Sequence, residues 1–410
     1  MKQQTRGWII CLIASCFFSY ELVQLHMLNA ISSLLMKDLT LSATDFSALC
    51  SAYLLADVIF LIPAGMILDR ISVRKVILIA LALCVGGTFG FAFSQTFWQA
   101  AISHFISGIG NAFCFLSCMM LASSWFGKKS SFVMSIMITI GLLGGVVAQV
   151  PFTLLADRFG WQQTLIIDGV VGCFIWVANY LFVEDKQKPA PVIQKPSIFA
   201  FLVGLKPAFF NKQVWKCGLY TGFLNLPLMI ISAMIGNLYL THVLHFDPIE
   251  ASLITSMISV GTIVGSPFYG FISDFFQNKK IWMIIGAVAS LGSFCLMMLS
   301  KTPTVFSMAT LFFLLGFFSA SQVLGYPMIT ESAPAKLKGT AMGLAALLIM
   351  GLAFVTQPLT GFLIDKASVQ GSYDFTYAMM IFPIGFVVSL VMALSLKEVK
   401  QPSYEEAQGI

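Results

Sequence analysis

Apolar residues run along this chain in long uninterrupted stretches, parted by short breaks rich in charge, glycine and proline. Reading the stretches against their breakers predicts twelve helical spans. The first six are Gly7 to Leu34, Asp45 to Leu68, Lys75 to Ser94, Phe97 to Ser123, Ser131 to Ala156 and Trp161 to Val183. The next six are Trp215 to Thr241, Pro248 to Ser273, Ile281 to Ser300, Thr304 to Thr330, Gly339 to Ile364 and Tyr377 to Leu396. Each reaches the roughly 20 residues that a helix needs to cross a bilayer's hydrocarbon core. The strands of a membrane barrel would instead alternate apolar and polar residues over about 10 positions. Lipid offers the backbone no hydrogen bonds, so only helices or a closed barrel can span it. The pattern therefore predicts an all-α membrane protein.

Composition agrees. Hydrophobic residues make up 58% of the chain and charged residues only 10%, at a mean hydropathy of +0.89. A soluble globule is roughly a quarter charged, so most of this surface must be solvated by lipid. The net charge of +5 calls for no nucleic acid, because its distribution has a topological reading. Cytoplasmic loops collect Lys and Arg near helix ends. Placing both termini inside leaves only Lys37, Arg158, Lys301 and Lys366 on the outer side and no basic residue within the membrane. Ile13-Ala14-Ser15-Cys16 matches a lipoprotein cleavage box, but the apolar run continues past it, so an uncleaved first helix is expected. The nine cysteines fall in apolar runs without metal-ligand spacing and read as small apolar fillers.

The chain repeats itself. Gly65-Met66-Ile67-Leu68-Asp69-Arg70-Ile71-Ser72-Val73-Arg74-Lys75 follows the second span, and Gly270-Phe271-Ile272-Ser273-Asp274-Phe275-Phe276-Gln277-Asn278-Lys279-Lys280 follows the eighth. Glycine, aspartate and a closing basic pair keep their spacing. A weaker echo joins Pro151 through Asp157-Arg158 to Pro358 through Asp365-Lys366. Two six-helix halves follow, residues 1–183 and 215–410, with a charged, proline-bearing cytoplasmic linker over 184–214.

Gly65 to Lys75 resembles the cytoplasmic signature of the major facilitator superfamily between its second and third helices. Asp69, Arg70, Arg74 and Lys75 fit it, while Ser72 and Val73 replace its usual glycine and first basic residue. Phe17 to Glu21, Ile62 to Arg70 and Ser124 to Lys129 are similar to the branch holding the phagosomal amino-acid and nucleoside transporters of intracellular bacteria and the animal lysosomal dipeptide transporter. The resemblance implies a secondary transporter working by alternating access, and import of amino acids, short peptides or nucleosides. It also implies a cytoplasmic gate. Asp69 would approach the N-terminus of the eleventh helix and Asp274 that of the fifth, where free N–H groups and the dipole favour a carboxylate by up to ~1–2 kcal/mol. Glu331, near the inner end of the tenth helix, is a further gate candidate.

Ionisable groups at membrane depth are functional candidates because they are costly. Glu21 and Asp57 fall at the midpoints of the first two spans, and Tyr20 and Gln24 flank Glu21. His104 stands where the superfamily usually has an arginine, so a fixed cation becomes a titratable one. His104, Ser107 and Asn111 recur at helical spacing and mark a polar face on the fourth helix. His26 and Asn29 lie further outward on the first helix, Asp168 near the outer end of the sixth, and Tyr53 could satisfy Asp57. The second half offers neutral groups: Tyr220, Asn225, Gln322, Tyr326 and Gln357.

No P-loop, HExxH or GxSxG motif occurs, so neither an enzyme nor a cofactor or metal is expected. Transport is then gradient-driven, with protons the natural ion where Glu, Asp and His share a cavity. Inorganic anions and organophosphates are disfavoured, since the cavity has no Arg or Lys to hold them. The expected protein is a monomeric, proton-coupled importer of a small neutral or zwitterionic solute in a bacterial inner membrane. A proton-antiporting exporter of drugs or siderophore-like metabolites is the alternative.

Overall fold

The structure is a computed structural model that describes residues 2–68, 71–127, 130–185, 211–300, 302–332, 338–368 and 373–397. The described residues contain twelve helices long and apolar enough to cross a membrane. In the first half these are α1 (Lys2–Asp38), α2 (Ala43–Leu68), α3 (Val73–Ala92), α4 (Phe97–Phe126), α5 (Val133–Phe159) and α6 (Trp161–Phe182). The second half holds α7 (Lys212–His242), α8 (Pro248–Phe275), α9 (Lys279–Leu299), α10 (Val305–Ser332), α11 (Lys338–Ala367) and α12 (Thr376–Ser395).

Short polar residues set the helix starts by satisfying N–H groups that have no partner inside the helix. Ser72 caps α3 through the amide of Lys75, Thr96 caps α4 through Gln99, and Asn278 caps α9 through Ile281. Asp247 and Glu250 cap α8 reciprocally. The turn from α5 to α6 is a single residue, Gly160, at φ 82°, a left-handed conformation open to glycine without strain. Two helices are irregular inside the membrane. α7 widens to π geometry over Pro227–Ile235, and α10 tightens to 3₁₀ geometry over Ala320–Leu324.

The two halves are built alike. In the first, α1 packs on α5 and α6, α3 on α4 and α6, and α2 on α4; in the second, α7 packs on α11 and α12, α9 on α10 and α12, and α8 on α10. Every pairing reappears six helices later, the three-dimensional form of the sequence repeat. Between halves, α2 meets α11, α5 meets α8, and α1 meets α7. α7 is buried along almost its whole length. Phe174, Leu299 and Phe306 are exposed; such an apolar surface suits lipid, whereas in water it would drive association.

The helix ends nearest residues 2 and 397 form the inner end of the bundle, the end that charge assigns to the cytoplasm. Among the described residues, the hydrogen bonds that join the halves lie in the outer part. Glycine spacing agrees. A side chain at Gly361 of α11 would run into Ser47 and the Ala43 carbonyl of α2, whereas toward the inner end Gly65 and Gly343 have no neighbour within 4 Å of where a Cβ would stand. The halves touch on the outer side.

Candidate functional site

α1 carries two polar faces. Its middle turns into the first half, where two buried clusters form. In one, Gln24 Nε2 donates to Asp168 Oδ2 at 2.6 Å, Thr88 Oγ1 lies 2.9 Å from Gln24 Oε1, and Tyr20 OH donates to Thr88 at 3.3 Å. The sequence placed Asp168 near a helix end and gave it no role; α6 delivers it to Gln24. In the other, Tyr53 OH donates to Glu21 Oε2 at 2.7 Å and also approaches the Glu21 carbonyl at 3.1 Å. Tyr53 thus serves Glu21, and Asp57 is served by the side chain of Asn111 instead.

Glu21 is fully buried, with the Cys84 thiol beside its carboxyl, and its Oε1 makes no hydrogen bond to a nitrogen or oxygen. That oxygen occupies the space a side chain on Gly110 of α4 would need. The His104 ring packs 5.0 Å from Tyr53 and 5.7 Å from Phe91, with Nδ1 buried and unpartnered. Tyr53 therefore touches both Glu21 and His104. Ser107 Oγ donates to the Cys84 carbonyl at 3.2 Å, tying α4 to α3.

The outer part of α1 faces the other half. Asn29 Nδ2 lies 3.0 Å from Gln149 Oε1 and 3.1 Å from Asn237 Oδ1, while the amide of Asn237 donates back to Asn29 Oδ1 at 3.0 Å. Gln149 Nε2 donates to the Ser232 carbonyl at 2.9 Å. Ser232 lies in the π segment of α7 and Asn237 just beyond it, so the irregular helix presents backbone groups to α1 and α5. Asn237 also bonds Ser252 at 2.6 Å and Thr255 at 2.9 Å, and Thr153 meets Ser252 across the interface. His26 donates from Nδ1 to the Leu22 carbonyl at 2.8 Å, and its buried Nε2 has no partner. Sequence reasoning missed Gln149 and Asn237. Their one signal is an uncharged amide inside an apolar run.

Among the described residues the second half has no comparable acid. Every buried carboxyl among the described residues, Glu21, Asp57 and Asp168, belongs to the first half. Tyr220 bonds the Met283 carbonyl and Ser321 at 2.9 Å, Gln357 donates to the Met229 carbonyl at 2.9 Å, and Asn225 is buried on α7. Gln322 and Tyr326 are half-buried on α10.

The inner gate candidates are dispersed. Asp69 and Arg70 lie outside the described residues. Arg74 reaches the Tyr180 carbonyl at 2.6 Å, and its amide and Ser72 both bond Asp185, which pins α3 to the end of α6. The amide of Lys75 donates to Ser72. Glu331 pairs with Lys279 of its own half at 2.8 Å, and Asp274 is exposed.

Residues 9–238 and 223–409 match the model of the Major Facilitator Superfamily. The chain belongs to that superfamily. It is 22% identical to the membrane sensor protein UhpC of Escherichia coli (strain K12), over 88% of this chain and 85% of that one. It is also 22% identical to the lysosomal dipeptide transporter MFSD1 of Danio rerio, over 82% and 76%. The fold matches a structure of the nucleoside transporter NupG with a TM-score of 0.78, covering 96% of this chain and 99% of that one at 14% identity. This superfamily member is a multi-pass membrane transporter rather than an enzyme.

Proposed function

We propose that this transporter is a proton-coupled symporter that brings a small neutral or zwitterionic solute, an amino acid, short peptide or nucleoside, into a bacterial cytoplasm. The observation that carries the reading is the asymmetry of buried charge. Three carboxyls are enclosed in the first half, none of them in an ion pair among the described residues, and none is enclosed in the second. An enclosed carboxylate without a cation is costly, so such a group takes a proton when sealed and releases it when water enters. Glu21 is the leading proton carrier, with Asp57, Asp168 and His104 around it. The neutral groups Asn225, Gln322 and Tyr326 suit a solute held by hydrogen bonds, and among the described residues no Lys or Arg is buried to attract an anion. The dipeptide and nucleoside carriers among its likenesses fit that solute class.

Purified protein in proteoliposomes tests this directly. An acid-outside pH gradient should accumulate one member of a panel of amino acids, dipeptides and nucleosides. Expulsion of cationic dyes with no uptake from the panel would replace the symporter with the antiporting exporter.

Orientation belongs to the same proposal. Reporter fusions after Lys188 and Lys400 should report the cytoplasm, and one after Asp247 the periplasm. A periplasmic signal at Lys188 would reverse the direction assigned to transport.

Asp69 and Asp274 act as the inner gate, each closing on a helix N-terminus of the other half when the outer side opens. Exposure of Asp274 in this outer-closed form fits a released gate. Asp69→Asn should slow uptake severalfold and raise cross-linking diagnostic of the inner-open form, with insertion unchanged. Normal transport and unchanged cross-linking would leave Asp69 as a loop cap.

A further inference from the structure

We infer that Asp365 is the outer counterpart of the inner gate, a carboxylate that locks the outer side by capping α2 from the opposite half. The argument starts from the first turn of α2, whose N–H groups have no partners within the helix. Local chemistry serves one of them: Ser42 Oγ accepts from the amide of Asp45 at 3.1 Å, and the Asp45 carboxylate returns a bond to the Ser42 amide at 3.1 Å. The amides of Ala43 and Thr44 are left over. Asp365 takes both, Oδ1 at 3.0 Å from Ala43 N and Oδ2 at 2.7 Å from Thr44 N. A helix that already has its own capping pair is completed by a residue 321 positions away in the other half.

The neighbouring packing is fitted to this contact. Gly361, one turn before Asp365, lets α11 lie against Ser47 and the Ala43 carbonyl with no room for a side chain. α2 and α11 run antiparallel, so the two ends of one helix pair carry the same device. Asp365 stands at the outer end of α11 against the start of α2. Asp69 follows the inner end of α2, and α11 begins on that side at Lys338. With Asp69 as the proposed inner gate, on which this step rests, each aspartate engages only when its own side is closed, and one interface holds two locks that exclude each other. The repeat partner of Asp365 is Asp157 at the end of α5, which is exposed and makes no hydrogen bond or ion pair among the described residues. Among the described residues Asp365 is thus the one carboxylate that bonds across the halves, and the sequence echo alone would not have distinguished the two aspartates.

Hydrogen-exchange mass spectrometry on the full-length protein in nanodiscs tests the assignment. Asp365→Asn keeps the shape but replaces a charged double acceptor with an amide. Exchange should rise roughly tenfold in peptides at the start of α2 and the end of α11, with slower exchange at the inner end of α11. Asp365→Glu keeps the charge and should restore most of the protection. Asp157→Asn should leave the parent pattern intact. Parent-like exchange in Asp365→Asn would overturn the proposal. A rise spread equally through α3 and α4 would overturn it too, by making Asp365 a residue that folding needs. These outcomes are independent of which solute or ion is carried.

Discussion

Glu21→Gln should abolish uphill accumulation of solute under an imposed pH gradient while sparing exchange of solute across the membrane. The substitution keeps the volume and the ability to accept from Tyr53, so the contact at 2.7 Å survives in outline. It imitates the protonated acid permanently. A carrier that cannot release its proton still shuttles loaded between its two forms, which is exchange. It can no longer return empty at a rate set by the gradient, so accumulation falls to simple equilibration. Gln also adds an N–H where Glu21 Oε1 now makes no hydrogen bond to a nitrogen or oxygen, beside Gly110. Counterflow and pH-driven uptake measured on the same vesicles separate the possibilities. Loss of both would mean that Glu21 holds the solute itself. Retention of both would move the proton to Asp57 or Asp168.

Asp168 belongs in that contest because of where α6 places it, and its case shows what the sequence could and could not say. Twelve spans, two halves and their repeat were legible, since lipid imposes length and apolar continuity that no tertiary detail overrides. Depth along a helix was legible too, by counting residues. What counting cannot give is the azimuth of a side chain relative to helices distant in sequence. Gln24 and Glu21 look alike as polar points on one span, yet one bonds Asp168 and the other Tyr53. Tyr53, one turn from Asp57, looked like its partner and instead reaches across to α1. Glu331 could not be read as half of an ion pair, because Lys279 lies 52 positions away. The π segment of α7 left only faint marks, Pro227 at its start and Gly236 at its end, in a run otherwise indistinguishable from a plain helix.

That segment also explains why the part of the outer seal between α1 and α7 escaped a reading based on charge. Apart from the Asp365 cap on α2, the seal around α1 and α7 rests on neutral amides, which cost little to carry in an apolar run and so stand out little. Their energetic weight appears only when they are enclosed, because each buried donor or acceptor left without a partner costs about 1–3 kcal/mol. Asn29 is the centre of the arrangement, bonded at once to Gln149, to Asn237 Oδ1 and to the Asn237 amide. Asn29→Leu fills nearly the same volume but strands the Asn237 amide and Gln149 Oε1 in the closed interface. Water satisfies both when the outer side opens, so the penalty falls on the closed form alone. Two such losses amount to about 3 kcal/mol, a shift of roughly a hundredfold toward the outer-open form. A reporter cysteine reads the shift. Ser259 is buried beside Gly145 across the interface, so Ser259→Cys should react slowly with a membrane-impermeant maleimide added outside. Adding Asn29→Leu should accelerate labelling of that site, followed peptide by peptide, by one to two orders of magnitude, while transport slows because the outer side no longer closes readily. Asn29→Gln, which keeps an amide one methylene longer, should give an intermediate rate. Unchanged labelling in Asn29→Leu would show that the Asp365 cap and the packing between α2 and α11 and between α5 and α8 hold the outer side shut without the amides.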